Sequence, residues 1–286
     1  MPLPRPRGLA SALTFRRGIA LALAAATAAA LSVLLGGAAA QAAAPSYVAL
    51  GDSYSSGTGT RVYINDGTNC QRSLAAYPEL VASELGATLT FDACSGATTS
   101  DVLNSQLSHL NSGTAMVTIS IGGNDAGFTD VITRCALPWP YNCTSDIDNA
   151  VSFIQNTLPG KLDSVYSAIS SHAPNATVVV VGYPRLFNGV TCNALARISS
   201  TEEGQLNDAA DVLAGVISAR AAAHGFGFVD PRSAFSSHEI CSSSEWLNGL
   251  SDPVTESYHP NTNGHQGYAG LVAPALSAET SLAGRS

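Results

Sequence analysis

The stretch "YVALGDSYSSG" at residues 47–57 runs from apolar, strand-like residues into a turn carrying an acid, a serine and then small residues. A buried strand favours β-branched and aromatic residues, so the switch to Gly51-Asp52-Ser53 marks a carboxyl end that presents a hydroxyl. Four further runs of the same kind follow at 87–94, 116–122, 176–183 and 226–230, each bounded by Gly, Asp or Pro. Helix-like segments lie between or after them at 77–85, 146–171, 199–223 and 263–278. This alternation predicts an α/β domain: a flavodoxin-like, three-layer α/β/α sandwich around a five-stranded parallel sheet of order 2-1-3-4-5. Such sheets bind ligands beyond the carboxyl ends of their strands, which is where Ser53 falls. The helix near 199 has capping-box spacing at Ser199/Glu202 or Ser200/Glu203 and a terminal Gly225. Long loops are expected over 55–76, 125–145 and 184–198, with no repeat and no second domain.

The N-terminus is set apart from this domain. Arg5, Arg7, Arg16 and Arg17 precede an alanine-rich apolar run that contains no acid and ends in small residues. Residues 1–42 therefore read as a secretory signal peptide cut after Ala42, with Ala44 as the alternative, leaving 43–286 as the mature domain. The run is long enough to span a bilayer, but its small-residue end favours cleavage over anchorage, and no stable membrane insertion is expected. The Arg16-Arg17 pair leaves the export route open.

All 13 basic residues but four lie beyond residue 42, against 21 acids, so residues 43–286 carry 9 − 21 = −12. A chain this acidic lacks the basic stripe that nucleic acid requires, and simple adsorption to anionic membranes is disfavoured. Apolar loops could still engage a lipid surface. The six cysteines, an even number in an exported chain, read as disulfides. Pairing in sequence order, Cys70–Cys94, Cys135–Cys143 and Cys192–Cys241, is preferred because each bridge closes one excursion from the core. No C-x-x-C or Cys/His zinc spacing occurs, so no metal and no cofactor is expected. H-E-x-x-H, Walker A and G-x-G-x-x-G patterns are also missing, as is the G-x-S-x-G elbow of the α/β-hydrolases.

Three more short blocks accompany the serine turn: "CSGAT" at 94–98, "SIGGNDAGF" at 120–128 and "SYHPNTNGHQGYA" at 257–269. The first two follow strands two and three, and the last opens the final helix. Gly-Asp-Ser-Tyr with Ser53, Gly96, Gly-Gly-Asn-Asp with Asn124 and His-Pro with His259 resemble, in order and over nearly the whole mature chain, the GDSL/SGNH hydrolases. The export signal and cysteines are similar to those of secreted actinomycete lipases and phospholipases A1. The resemblance implies Ser53 as nucleophile and His259 as general base, since imidazole titrates near working pH and a neutral serine needs activation. It also implies an oxyanion hole from the Ser53 and Gly96 N–H groups and the Asn124 amide. Where the family often has Asp three residues before the histidine, this chain has Glu256. Either Glu256 or the Ser257 carbonyl could orient His259, and both stay open.

Asp52 is expected to bond the turn backbone and Asp125 to be structural. His265 is too far round from His259 to share a metal, and His109, His172, His224 and His238 read as surface or satisfied histidines. Trp139 and Tyr141 could line an acyl cleft or pack beneath the Cys135–Cys143 loop. The expected function is a secreted, monomeric serine ester hydrolase acting on acyl lipids or phospholipids at an interface. A carbohydrate O-deacetylase and a non-catalytic exported binding protein are the alternatives.

Overall fold

The computed structural model of the protein describes residues 1, 43–137, 140–190, 192 and 197–283. The expected signal peptide and Trp139 lie outside the described residues, apart from Met1. From Ala44 onward the chain packs as one unit.

Five strands, β1 (Ser46–Gly51), β2 (Thr88–Phe91), β3 (Met116–Ser120), β4 (Thr177–Val181) and β5 (Gly227–Val229), form a sheet of order β2-β1-β3-β4-β5 with every pairing parallel. This is the order read from the sequence. β3 is buried throughout and β4 is buried beyond Thr177, which explains why β4 reads as an unbroken run of valines rather than an alternating strand.

The helices that build the layers and the site are, in chain order, α1 (Ser53–Ser56), α2 (Tyr77–Leu85), α3 (Phe128–Cys135), α4 (Thr144–Asn156), α5 (Leu158–His172), α6 (Ser200–Ala223) and α7 (Thr262–Ala283). Helices α2 and α7 pack together on one side; α4, α5 and α6 pack as a group on the other. The layers bury an apolar core built around Leu50, Ile119, Leu158, Leu162, Ile217 and Leu276. Of the two possible capping boxes, Ser199/Glu202 forms: Ser199 N–H donates to Glu202 Oε2 at 2.9 Å and Glu202 N–H to Ser199 Oγ at 3.3 Å. Gly225, with φ +70°, closes the same helix.

Two expectations need correction. The single helix expected over 146–171 is two, α4 and α5, with Thr157 between them at φ −115°. Pro159 is the cause, because its ring disfavours continuation of the preceding helix while suiting the first turn of a new one. The loop expected over 125–145 contains α3. Its apolar residues Val131, Ile132 and Cys135 share one buried face, a period too short to stand out from the flanking glycines and prolines.

All three bridges in sequence order are present: Cys70–Cys94, Cys135–Cys143 and Cys192–Cys241. In the chain-entropy view each stabilises by roughly 2–4 kcal/mol.

Candidate active site

The parallel order places the switch point between β1 and β3, and Ser53 is the first residue of α1 just beyond β1. Gly51 makes that exit possible. Its φ is +120°, and a Cβ there would run into the Ser120 carbonyl on the neighbouring strand. Because β2 stops at Phe91, opposite Ala49, only the Gly51 carbonyl finds a backbone partner on that side, Cys94 N–H at 2.9 Å, and the Gly51 N–H finds none. Gln106 completes the pairing: Gly51 N–H donates to Gln106 Oε1 at 2.7 Å, and Gln106 Nε2 adds a second hydrogen bond to the Gly51 carbonyl at 2.9 Å. Asp52 caps α1 by accepting from Tyr54 N–H at 3.0 Å, and its other oxygen accepts from the Tyr183 hydroxyl at 2.5 Å. Burial raises the Asp52 carboxyl to about 7, against the opposing pull of the Tyr183 and Tyr54 hydrogen bonds.

Ser53 Oγ lies 2.8 Å from His259 Nε2. His259 Nδ1 lies 2.8 Å from the Ser257 carbonyl, an acceptor only, so Nδ1 carries the proton and Nε2 offers its lone pair to the serine. Glu256 does not contact the imidazole. Its buried carboxylate accepts from Arg61 Nε at 2.7 Å and from the Tyr63 hydroxyl at 2.8 Å.

The contact between His259 and Ser257 is two residues apart in sequence, and it needs a sharp fold at Tyr258. That residue sits at φ +62°, a conformation costing a bulky side chain about 1–2 kcal/mol. Two hydrogen bonds hold it: Tyr258 N–H donates to the Asn248 carbonyl at 2.9 Å, and the Tyr54 hydroxyl donates to the Tyr258 carbonyl at 2.7 Å. Tyr54, next to Ser53, thus ties the serine turn to the histidine loop, and its ring lies 5.4 Å from the imidazole. Burial lowers the His259 pKa to about 4, opposed by the Ser257 hydrogen bond and the Glu256 charge.

The N–H groups of Ser53 and Gly96 make no backbone hydrogen bond among the described residues, and both residues line the same cavity as Asn124 and His259. Asn124 Nδ2 donates to the Ala97 carbonyl at 2.9 Å, which fixes the amide beside the Gly96 turn. Gly96 has φ +82°, and a Cβ there would meet no atom within 4 Å, so its backbone angle rather than crowding calls for glycine. Asp125 points away, accepting from Thr99 N–H at 2.8 Å and Thr99 Oγ1 at 2.6 Å and pairing with Lys161.

The cavity has a volume of about 830 Å³. Beyond the polar mouth, its walls are apolar: Ala126, Phe128, Val131 and Ile132 from α3 and its approach, Ile147, Ala150 and Ile154 from α4, and Leu206 and Leu213 from α6. Tyr141 is exposed and does not line it. His265 is fully buried and makes no hydrogen bond to Ser53 or His259. Its Nδ1 accepts from Tyr77 N–H at 3.2 Å, Nε2 has no partner, and burial lowers its pKa to about 3. Among the described residues, no three His, Cys, Asp or Glu side chains are grouped to hold a metal ion.

A serine hydroxyl against a neutral imidazole, with free N–H donors and an apolar chamber at a parallel sheet's carboxyl edge, defines a hydrolase of carboxylic esters. The family model described as "GDSL-like Lipase/Acylhydrolase family" matches residues 49–266, and the chain belongs to that family. It is 51% identical over 243 residues to Lipase 1 of Streptomyces coelicolor, covering 82% of this chain and 90% of that protein. The solved structure of an extracellular lipase from Streptomyces rimosus superposes with a TM-score of 0.77 at 47% identity, covering 81% of this chain and all of that one. A phospholipase A1 structure from Streptomyces albidoflavus gives the same TM-score of 0.77 at 46% identity, with 83% of this chain and 100% of that chain covered. The alternative of a non-catalytic binding protein is set aside: the protein is a carboxylic-ester hydrolase.

Gln106, Tyr54, Tyr183 and the Arg61–Tyr63 pair were not foreseen as parts of the site. Only Tyr54 had a signal in the sequence, its place beside the serine.

Proposed function

We propose that the protein is exported, loses residues 1–42, and as a monomer hydrolyses acyl esters of glycerolipids through an acyl-serine intermediate. The 2.8 Å contact between Ser53 Oγ and His259 Nε2 at the mouth of the apolar cavity carries this reading. His259 Nε2 takes the Ser53 proton as Oγ attacks the ester carbonyl carbon. The oxyanion that forms accepts hydrogen bonds from Ser53 N–H, Gly96 N–H and Asn124 Nδ2. Collapse expels the alkoxide of the lysolipid or glyceride, which leaves with the proton from His259. Water then attacks the acyl-serine, His259 removes its proton, and Ser53 departs with that proton to release the fatty acid. The Ser257 carbonyl supports the imidazolium that forms twice in the cycle, acting as a dipole where many relatives of the fold class use a carboxylate.

The chain with disulfides intact should release fatty acid from a phosphatidylcholine bearing different acyl chains at its two positions, and from matched triacylglycerols. Ser53→Ala should abolish both. Release from the first position would support phospholipase A1 action, and release from triglyceride alone would support lipase action. Activity surviving in Ser53→Ala would overturn the assignment of the nucleophile.

A further inference from the structure

The loop held by Glu256 has an outward face that catalysis does not use. Glu256 clamps residues 61–63 against the short 3-10 turn Val254–Glu256, and Tyr63 in turn bridges antiparallel to Ser73. In that register Val62 and Leu74 flank the same end of the bridge. Val62 is 50% exposed, Leu74 62% and Val254 70%, and Val254 stands at the cavity edge beside Tyr63 and Leu250. Single exposed aliphatics are ordinary, but these three stand on segments clamped to one another, next to Tyr63 and Ile64, which line the cavity. Arg61 adds a cation whose side chain is 59% exposed.

We infer that Val62, Leu74 and Val254, with Arg61, form a lip that seats the cavity mouth on a zwitterionic phospholipid surface. This rests on the lipolytic reading above, and it says where the protein meets the aggregate. The charge of −12 over residues 43–286 repels anionic headgroups, so a neutral surface with a dipolar headgroup is the complementary partner. There the aliphatics enter the acyl boundary and Arg61 faces phosphate oxygens. The Glu256 clamp sets these groups in place beforehand, so little ordering cost remains on docking.

The test separates docking from catalysis. Partitioning onto sedimented phosphatidylcholine vesicles is measured in a Ser53→Ala background, and hydrolysis of a dissolved short-chain ester in the Ser53 protein. Val62→Asp with Leu74→Asp, neither of which lines the cavity, should lower partitioning about tenfold or more and leave ester kcat/KM within about twofold. Leu103→Asp, exposed on another element, should change neither. Unchanged partitioning in the double variant, an equal loss in Leu103→Asp, or tighter wild-type binding to anionic than to zwitterionic vesicles would each overturn the inference. A dimer that the double variant dissolves, with vesicle binding unaltered, would assign the patch to self-association and overturn it too. If the Ser53 protein proved inert on the dissolved ester while the lip still bound vesicles, the catalytic reading would fail and the docking surface would stand.

Discussion

Replacing Glu256 by Gln separates the two ways in which a carboxylate near a catalytic histidine can act. Were Glu256 to orient His259 directly, its loss would resemble loss of a triad acid, which costs about 10⁴-fold in kcat. The structure instead gives the carboxylate to Arg61 Nε at 2.7 Å and the Tyr63 hydroxyl at 2.8 Å, and the imidazole to the Ser257 carbonyl. Glutamine keeps one acceptor oxygen, so one of the two donors still finds a partner while the other meets an NH₂ group. A hydrogen bond to a charged group contributes about 1.5–3 kcal/mol, and the exposure of Arg61 screens its share, so a loss of about 1–2 kcal/mol is expected. For a domain of this size that corresponds to a fall in Tm of roughly 2–8 °C. On a soluble ester, kcat should stay within about tenfold of the parent, because the Ser257 carbonyl and the Tyr258 fold are also held by Asn248 and Tyr54. Calorimetry and steady-state kinetics on one preparation decide the matter. A loss of about 10³-fold or more in kcat with unchanged Tm would refute the reasoning and return Glu256 to the role of a triad acid.

Asn124→Ala should lower kcat by about 10²–10³-fold with KM nearly constant, since the amide serves the transition state; a change confined to KM would contradict an oxyanion role. The neutral imidazole is the active form, so kcat/KM should fall as pH drops through the depressed His259 pKa of about 4. An acid limb centred near the ordinary histidine value would show that burial does not hold the imidazole neutral. Leu213→Trp, on the α6 wall of the cavity, should shift preference toward shorter acyl chains while hydrolysis of the shortest esters changes little. A matched series of ester chain lengths measures the shift, and an unchanged profile would place the acyl chain elsewhere.

The parts of the site legible in the sequence sit where strand meets turn. Ser53, Gly96 and Asn124 each follow the end of a strand whose composition announces it, and His259 opens the last helix, so local chemistry and sheet order together place them. What stayed hidden depends on distance along the chain. The Gly51 N–H finds its acceptor in Gln106, 55 residues on, and Glu256 finds Arg61 195 residues away. No spacing rule connects such pairs. The choice between Glu256 and the Ser257 carbonyl turned on a left-handed Tyr258, a backbone state that no tyrosine advertises. The split between α4 and α5 was within reach at Pro159, but the amphipathic run across it is continuous enough to mask the break.

The cavity walls supplied by α3 and α4 come from neighbouring parts of the chain, between Ala126 and Ile154, pinned to one another by Cys135–Cys143 and to the start of α6 by Cys143 N–H donating to Glu202 at 3.1 Å. The reacting groups, by contrast, come from four separated turns at the sheet edge. Selectivity for the chain of the fatty acid and the ability to break its ester are therefore inherited on different pieces of polypeptide. A relative could trade the first by exchanging that cassette, with its own pin, together with the facing Leu206 and Leu213 of α6, while keeping the four turns of the second.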